Sequence, residues 1–262
     1  MLLYRFLSAL VIVPVSLAAI WFGDPWFSML IALAALLGAF EFYRMVGRAG
    51  GHPFLILGLV LTLAFVLNAH FLSPVALPLL LTMTIIAPLI CVVLRQGPAR
   101  AFQDWAWTVG GILYMGWLLS YFVLLRGLTQ GREWTILAVF ATFACDTAAY
   151  FVGRAWGRHK LAPAISPGKT WEGAVGGLLG AVVATVALDL ILGLSQGYLR
   201  ACILGLIIGV FAQLGDLAES LLKRSTGVKD ASRLIPGHGG MLDRLDSIVF
   251  TGVIVYYYVL FI

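Results

Sequence analysis

The chain reads as an all-α integral membrane protein of about nine transmembrane helices, and three observations support that reading. Apolar residues make up 61% of it and charged residues only 11%, against about 45–50% and about 25% in an ordinary soluble domain. The apolar residues come in blocks long enough to cross the hydrocarbon core, which takes about 20 helical residues. Lys and Arg crowd onto alternate connections between those blocks.

Polar and Gly/Pro breaks place the nine spans at roughly 4–21, 25–43, 53–71, 74–94, 105–125, 134–152, 173–194, 198–222 and 246–262. Arg5 and the apolar run after it are not followed by a small-x-small cleavage site, so the first block reads as a helix and not as a cleaved signal. One alternating set of connections holds 14 of the 17 Lys and Arg, and the other holds only Arg126, Arg132 and Arg200. Cytoplasmic connections carry the excess of positive charge. The N-terminus is therefore expected in the cytoplasm and the C-terminus outside. Trp21, Trp26, Trp105, Trp107 and Trp134 fall near span ends, as interfacial aromatics do.

Residues 1–130 then carry the first five helices. Residues 131–262 carry the last four, with the long polar connections 153–172 and 223–245 on the cytoplasmic side. Chemistry is expected in this second half. The net charge of +5 follows from the positive-inside bias and would serve anionic substrates, so no nucleic-acid partner is expected. Cys91, Cys145 and Cys202 lie apart within apolar blocks, which suits neither a disulfide framework nor a zinc site. Gly173, Gly177 and Ala181 form one helical stripe and Gly176, Gly180 and Ala184 an adjacent one, with Gly205 and Gly209 further on. Such stripes let helices approach closely in lipid, and packing within the chain is favoured over a dimer seam.

The segment 213–247 is the richest in chemistry. Asp216 stands near the end of an apolar helix, and Glu219, Ser220 and Lys223 follow on the same face. An ionisable residue within a span is costly and usually faces a polar interior or a site. Three glycines, at 237, 239 and 240, surround His238 and would let backbone N–H groups approach a ligand. His238 suits phosphate or backbone contact. Asp243 and Asp246 then open the last span at i, i+3, with Arg244 between them. Paired carboxylates at a membrane surface suit a hard cation such as Mg²⁺.

A second segment runs from Asp146 and Tyr150 on the sixth span through Arg154, Arg158, His159 and Lys160. Ser166-Pro167 predicts a helix start, with a capping hydroxyl followed by Pro. Lys169 and Thr170 would then lie in the first turn, where N–H groups favour phosphate. Gly168-Lys169-Thr170 is not a phosphate-binding P-loop, because Pro163 occupies the first glycine position. Glu41 and Arg44 are expected to pair at the cytoplasmic end of the second span.

Residues 213–247 strongly resemble the signature of the phosphatidate cytidylyltransferases, also called CDP-diglyceride synthetases. The matching residues are Ser220, Lys223, Arg224, Lys229, Asp230, Pro236, His238, Gly239, Gly240, Asp243, Arg244 and Asp246. The segment Ser166-Pro167-Gly168-Lys169-Thr170-Trp171-Glu172-Gly173 is similar to a second motif of that family, which often has Lys where this chain has Gly168. The resemblance implies transfer of CMP from CTP to phosphatidate, giving CDP-diacylglycerol and pyrophosphate. It implies Mg²⁺, in a paired-metal site whose second ion is unknown, with Asp216, Asp243 and Asp246 as ligands. It also implies a homodimer in the inner membrane, with its active site at the cytoplasmic face.

On this reading Lys223, Arg224, Lys229, His238 and Arg244 act on phosphate. Asp146, Ser166, Lys169, Thr170, Ser220, Asp230, Gly239 and Gly240 line the substrates. The alternatives are another CTP-dependent lipid enzyme (a polyprenol kinase or an archaeal-type lipid cytidylyltransferase) or a transporter. A transporter fits less well, because the polar residues gather at one face and no inverted repeat is visible.

Overall fold

The computed structural model describes residues 2–95, 100–228, 231–232 and 239–262, with side chains from residue 10 onward. The described residues form nine helices: α1 (Leu2–Phe22), α2 (Trp26–Arg48), α3 (Leu55–Phe71), α4 (Ala76–Leu94), α5 (Ala101–Arg126), α6 (Gly131–Trp156), α7 (Trp171–Leu192), α8 (Tyr198–Ser225) and α9 (Leu242–Phe261). Each corresponds to one span expected from the sequence. Seven are long and apolar enough to cross a membrane, while α3 and the Leu10–Phe22 part of α1 are shorter. Large apolar side chains face outward along α4, among them Leu79, Ile85, Leu89 and Val93. Helices satisfy their own backbone polar groups, so they can present such a surface to lipid. The chain is a multi-pass, all-α membrane protein.

Several helices reach beyond the expected apolar limits; among them, α6 continues to Trp156, α7 starts at Trp171, α8 continues to Ser225 and α9 starts at Leu242. The backbone ladder needs no apolar side chains, so a helix can extend past the hydrocarbon core on polar residues. Asp243 therefore lies in the first turn of α9, and Asp246 lies deeper along it.

The chain divides into two compact units, Met1–Leu124 with Ser225–Leu245, and Leu125–Arg224 with Asp246–Ile262. In the first unit, Leu61, Phe65 and Ile112 form a buried cluster, flanked by Leu57, Leu80 and Trp117. Tyr43 fits where Gly58 and Gly111 leave room for its ring, and its hydroxyl donates to the Thr108 carbonyl oxygen at 3.0 Å. Helix α5 carries a π-helical stretch at Ile112–Trp117. There Gly116 lies against the Thr62 backbone, too close for a side chain.

In the second unit the small-residue stripes of α7 pack inside the chain, as expected. A Cβ at Gly176 would strike Val152, one at Gly177 would press on Cys145 and Ala149, and one at Gly180 would strike Ala148. Gly205 and Gly209 of α8 meet α7 in the same way, at Val182 and Leu178. With no hydrophobic drive between helices in lipid, such close backbone approach is what gives packing attraction.

The expected helix start at Ser166-Pro167 is corrected. Ser166–Thr170 is a short strand, β2, paired antiparallel with β1 (Lys160–Ala162), with Lys160 opposite Thr170 and Ala162 opposite Ser166. Helix α7 begins after Thr170, whose extended backbone makes it the cap and whose Oγ1 accepts from Gly173 N at 3.1 Å. The hairpin pairing keeps Ser166–Thr170 extended, so Lys169 lies on the strand instead of in the first helical turn.

Candidate active site

The second unit gathers acidic groups from three helices. Helix α6 presents Asp146, α8 presents Asp216, and α9 presents Asp246. Residues 246 and 247 bring α9 against both other helices, Ser247 through its hydrogen bond to Asp146 and Asp246 through its backbone against Gly215, next to Asp216. Gly215 permits this assembly, because a Cβ there would run into the Asp246 carbonyl oxygen. Strand β2 brings in the neutralising charge, with Lys169 Nζ 2.8 Å from Asp216 Oδ2. That contact is an ion pair without hydrogen-bond alignment, and the ammonium is otherwise buried. Ser220 Oγ donates to Asp216 Oδ1 at 3.3 Å, and Ser247 Oγ donates to Asp146 Oδ1 at 3.4 Å.

The remaining basic residues of α8 are also engaged. Lys223 Nζ is 2.5 Å from Glu219 Oε2, and Glu219 is fully buried. Arg224 Nε donates to the Ile165 carbonyl oxygen at 3.1 Å, tying the end of α8 to the turn between the strands. The opposite, open end of the hairpin is held by Glu172. Its carboxylate accepts from the Arg158 and His159 backbone N–H groups at 3.1 and 3.2 Å, and the His159 ring nitrogen Nδ1 lies 2.6 Å away.

The first unit holds the start of the glycine-rich signature. Gly240 N donates to Asp243 Oδ2 at 2.9 Å, so Asp243 folds back over its own loop. Gly239 has a positive φ of 83° and faces the Asp243 carboxylate. Arg244 is exposed. Lys229, Asp230 and His238, with Pro236 and Gly237, lie outside the described residues.

Of the expected site residues, Asp146, Lys169, Asp216, Ser220 and Asp246 thus come together. Thr170 acts as a helix cap, and Ser166 pairs in the hairpin. The expected Glu41–Arg44 pair is corrected. The Arg44 guanidinium lies over the Phe40 ring at 5.4 Å, while Glu41 is buried and accepts from Ser232 Oγ at 2.5 Å and Leu242 N at 2.8 Å. Glu41, Glu172 and Ser247 were not singled out as site residues. The one available signal was for Glu41, an acid inside an apolar helix.

The donor set of the cluster is all oxygen, which suits a hard cation. Among the described residues, no group of three or more His, Cys, Asp or Glu side chains is placed to hold a metal ion. Mg²⁺ needs fewer from the protein, since it takes one or two carboxylates and completes its shell with water and phosphate oxygens.

Residues 3–262 match the sequence profile of the cytidylyltransferase family. The chain is 35% identical to a phosphatidate cytidylyltransferase of Synechocystis sp., over 97% of this chain and 95% of that one. It is 34% identical to the chloroplastic phosphatidate cytidylyltransferase 5 of Arabidopsis thaliana, over 93% of this chain and 68% of the other. A phosphatidate cytidylyltransferase of Bacillus subtilis is 42% identical over 55% of this chain and 54% of its own length. With a match along almost its whole length, the chain belongs to the cytidylyltransferase family.

Proposed function

We propose that this protein is a phosphatidate cytidylyltransferase, which transfers CMP from CTP to phosphatidate. The products are CDP-diacylglycerol and pyrophosphate. The observation that carries the reading is the Lys169–Asp216 ion pair at 2.8 Å. It joins the two motifs that bear the family resemblance, and it does so beside Asp146 and Asp246.

A phosphate oxygen of the lipid attacks the α-phosphorus of CTP. A new P–O–P linkage forms, and the bond to the pyrophosphate oxygen breaks. The lipid phosphate has a second pKa of about 6 and is mostly dianionic at neutral pH, so no general base is required. The difficulty is holding two polyanions together. Lys169 and Arg224 supply positive charge, and Ser220 orients the Asp216 carboxylate. Asp216 and Asp246, with Asp146 beside them, are the residues of the second unit that would hold Mg²⁺. When bound, the ion screens the phosphates and stabilises charge on the attacking and leaving oxygens. The acyl chains stay in the membrane while the headgroup reaches the site.

The charge distribution supports an N-terminus in the cytoplasm, a C-terminus outside and a site facing the cytoplasm of an inner membrane. We also retain the homodimer as part of this proposal. One experiment tests substrate and orientation together. Pyrophosphate release from CTP is measured with added phosphatidate, in inverted and in right-side-out membrane vesicles. Inverted vesicles are expected to use external CTP, and right-side-out vesicles only after permeabilisation. No release in detergent solution would refute the reaction, and release from sealed right-side-out vesicles would reverse the orientation.

A further inference from the structure

Glu41 is only 2% exposed, although it lies within the apolar helix α2. Burying a carboxylate is costly unless it is hydrogen-bonded. Both of its oxygens have partners in the segment that leads into α9. Oε1 accepts from Ser232 Oγ at 2.5 Å, and Oε2 accepts from Leu242 N at 2.8 Å. Leu242 is the first residue of α9. The first N–H groups of a helix have no partner in their own helix and are usually met by a capping side chain just before it. Here Met241 precedes the helix and has no side-chain oxygen to offer. Glu41 supplies that oxygen from a different helix, and its negative charge also suits the positive end of the helix dipole.

The contact is tight on the loop side as well. A Cβ on Gly240 would collide with the Glu41 carboxylate, so a side chain at residue 240 would displace that carboxylate. Gly240 N in turn donates to Asp243 Oδ2 at 2.9 Å. A chain of contacts thus runs from Glu41 through Gly240 and Leu242 to the carboxylate of Asp243.

We infer that Glu41 is a positioning residue for the transferase reaction. It caps α9 from outside the signature and packs against Gly240, so that Asp243 is presented in one orientation. The inference rests on the proposed function for its catalytic consequence and on geometry alone for its anchoring role.

The test uses the full-length protein in nanodiscs. Amide exchange at residues 240–242 is measured without metal, CTP or lipid, and pyrophosphate release is measured separately. Glu41→Gln keeps the size but turns an amide donor toward one of the two donors it must meet. A hydrogen bond to a charged group is worth about 1.5–3 kcal/mol, so exchange at Leu242 is expected to rise roughly tenfold to a hundredfold, and kcat to fall by a similar factor. KM for phosphatidate is expected to stay within about twofold, because Glu41 meets loop and helix backbone and not the lipid. Ser232→Ala removes one of the two partners, leaves the Leu242 bond in place, and is expected to give a smaller change in the same direction. If Glu41→Gln does not fold, Ser232→Ala carries the test.

Gly240→Ala is expected to accelerate exchange as well, and adding Glu41→Ala to it should cost little more, since both disturb one contact. Wild-type exchange at Leu242 together with wild-type kcat in Glu41→Gln would overturn the inference. So would a fall in melting temperature with kcat of the folded protein unchanged, which marks a purely structural residue. If wild-type protein releases no pyrophosphate, the reaction is misassigned, and the anchoring role is decided by exchange alone.

Discussion

The two signature segments are both short polar stretches that open a helix, yet they are held by opposite means. The Ser166–Thr170 segment is organised locally. Its strand pairs with a neighbour a few residues earlier, Thr170 caps the helix that follows, and Glu172 gathers the backbone of Arg158 and His159. The Gly239–Leu242 segment is organised from far away in sequence, by the Glu41 carboxylate of α2. A locally closed segment can keep its shape while neighbouring helices shift. A segment capped from a remote helix keeps its shape only while that helix stays in register. The hairpin therefore suits a fixed platform for Lys169, and the Gly239–Leu242 segment suits an element whose order reports on tertiary packing.

The largest expected effect tests what the hairpin delivers its lysine to. Asp216→Asn or Asp246→Asn keeps side-chain size and removes one charge from the carboxylate cluster. Turnover is expected to fall roughly a thousandfold or more, the scale of losing a metal that stabilises both reacting oxygens. The measurement is turnover against Mg²⁺ concentration, with melting in detergent as the check on folding. Near-normal turnover in a folded variant would remove that aspartate from the site.

A smaller effect is expected at Lys169. Lys169→Ala should raise KM for CTP by about tenfold to a hundredfold, the range for one charged hydrogen bond or ion pair to phosphate. Steady-state kinetics at varied CTP would show it. If KM is unchanged while the melting temperature falls, Lys169 serves only to neutralise Asp216, and the platform has no substrate role.

The smallest effect sharpens the contrast between local and remote capping. Thr170→Ala should cost about 1 kcal/mol of stability, the usual value of a helix N-cap, and Thr170→Ser should recover most of it. Equilibrium unfolding in detergent measures both. Because its cap is local, Thr170→Ala is expected to leave amide exchange at Leu242 unchanged. A rise there would show that the two segments are not organised independently.

Much of this was legible in the chain itself. The nine apolar blocks each became a helix among the described residues, because bilayer thickness sets helix length and backbone bonds must close within each span. The glycine stripes of α7 were readable because helical spacing places Gly173, Gly177 and Ala181 in one row. The acidic character of the site was readable because an aspartate such as Asp216 is too costly in a span to be idle. The start of α7 was not legible. Ser166-Pro167 carries the local chemistry of a helix start, but the pairing of Lys160 with Thr170 holds those residues extended and moves the start past Thr170.

What the sequence determined by itself was whatever depends on length, period and local chemistry: the spans, the stripes and the candidate carboxylates. What only tertiary structure decided was which distant groups meet. Lys169 finds Asp216, Ser247 finds Asp146, and Glu41 turns from its neighbour Arg44 to the backbone of Leu242. These outcomes depend on a buried charge finding the best available donor within a few ångströms. That choice is made by packing across helices, where separation along the chain carries no information about separation in space.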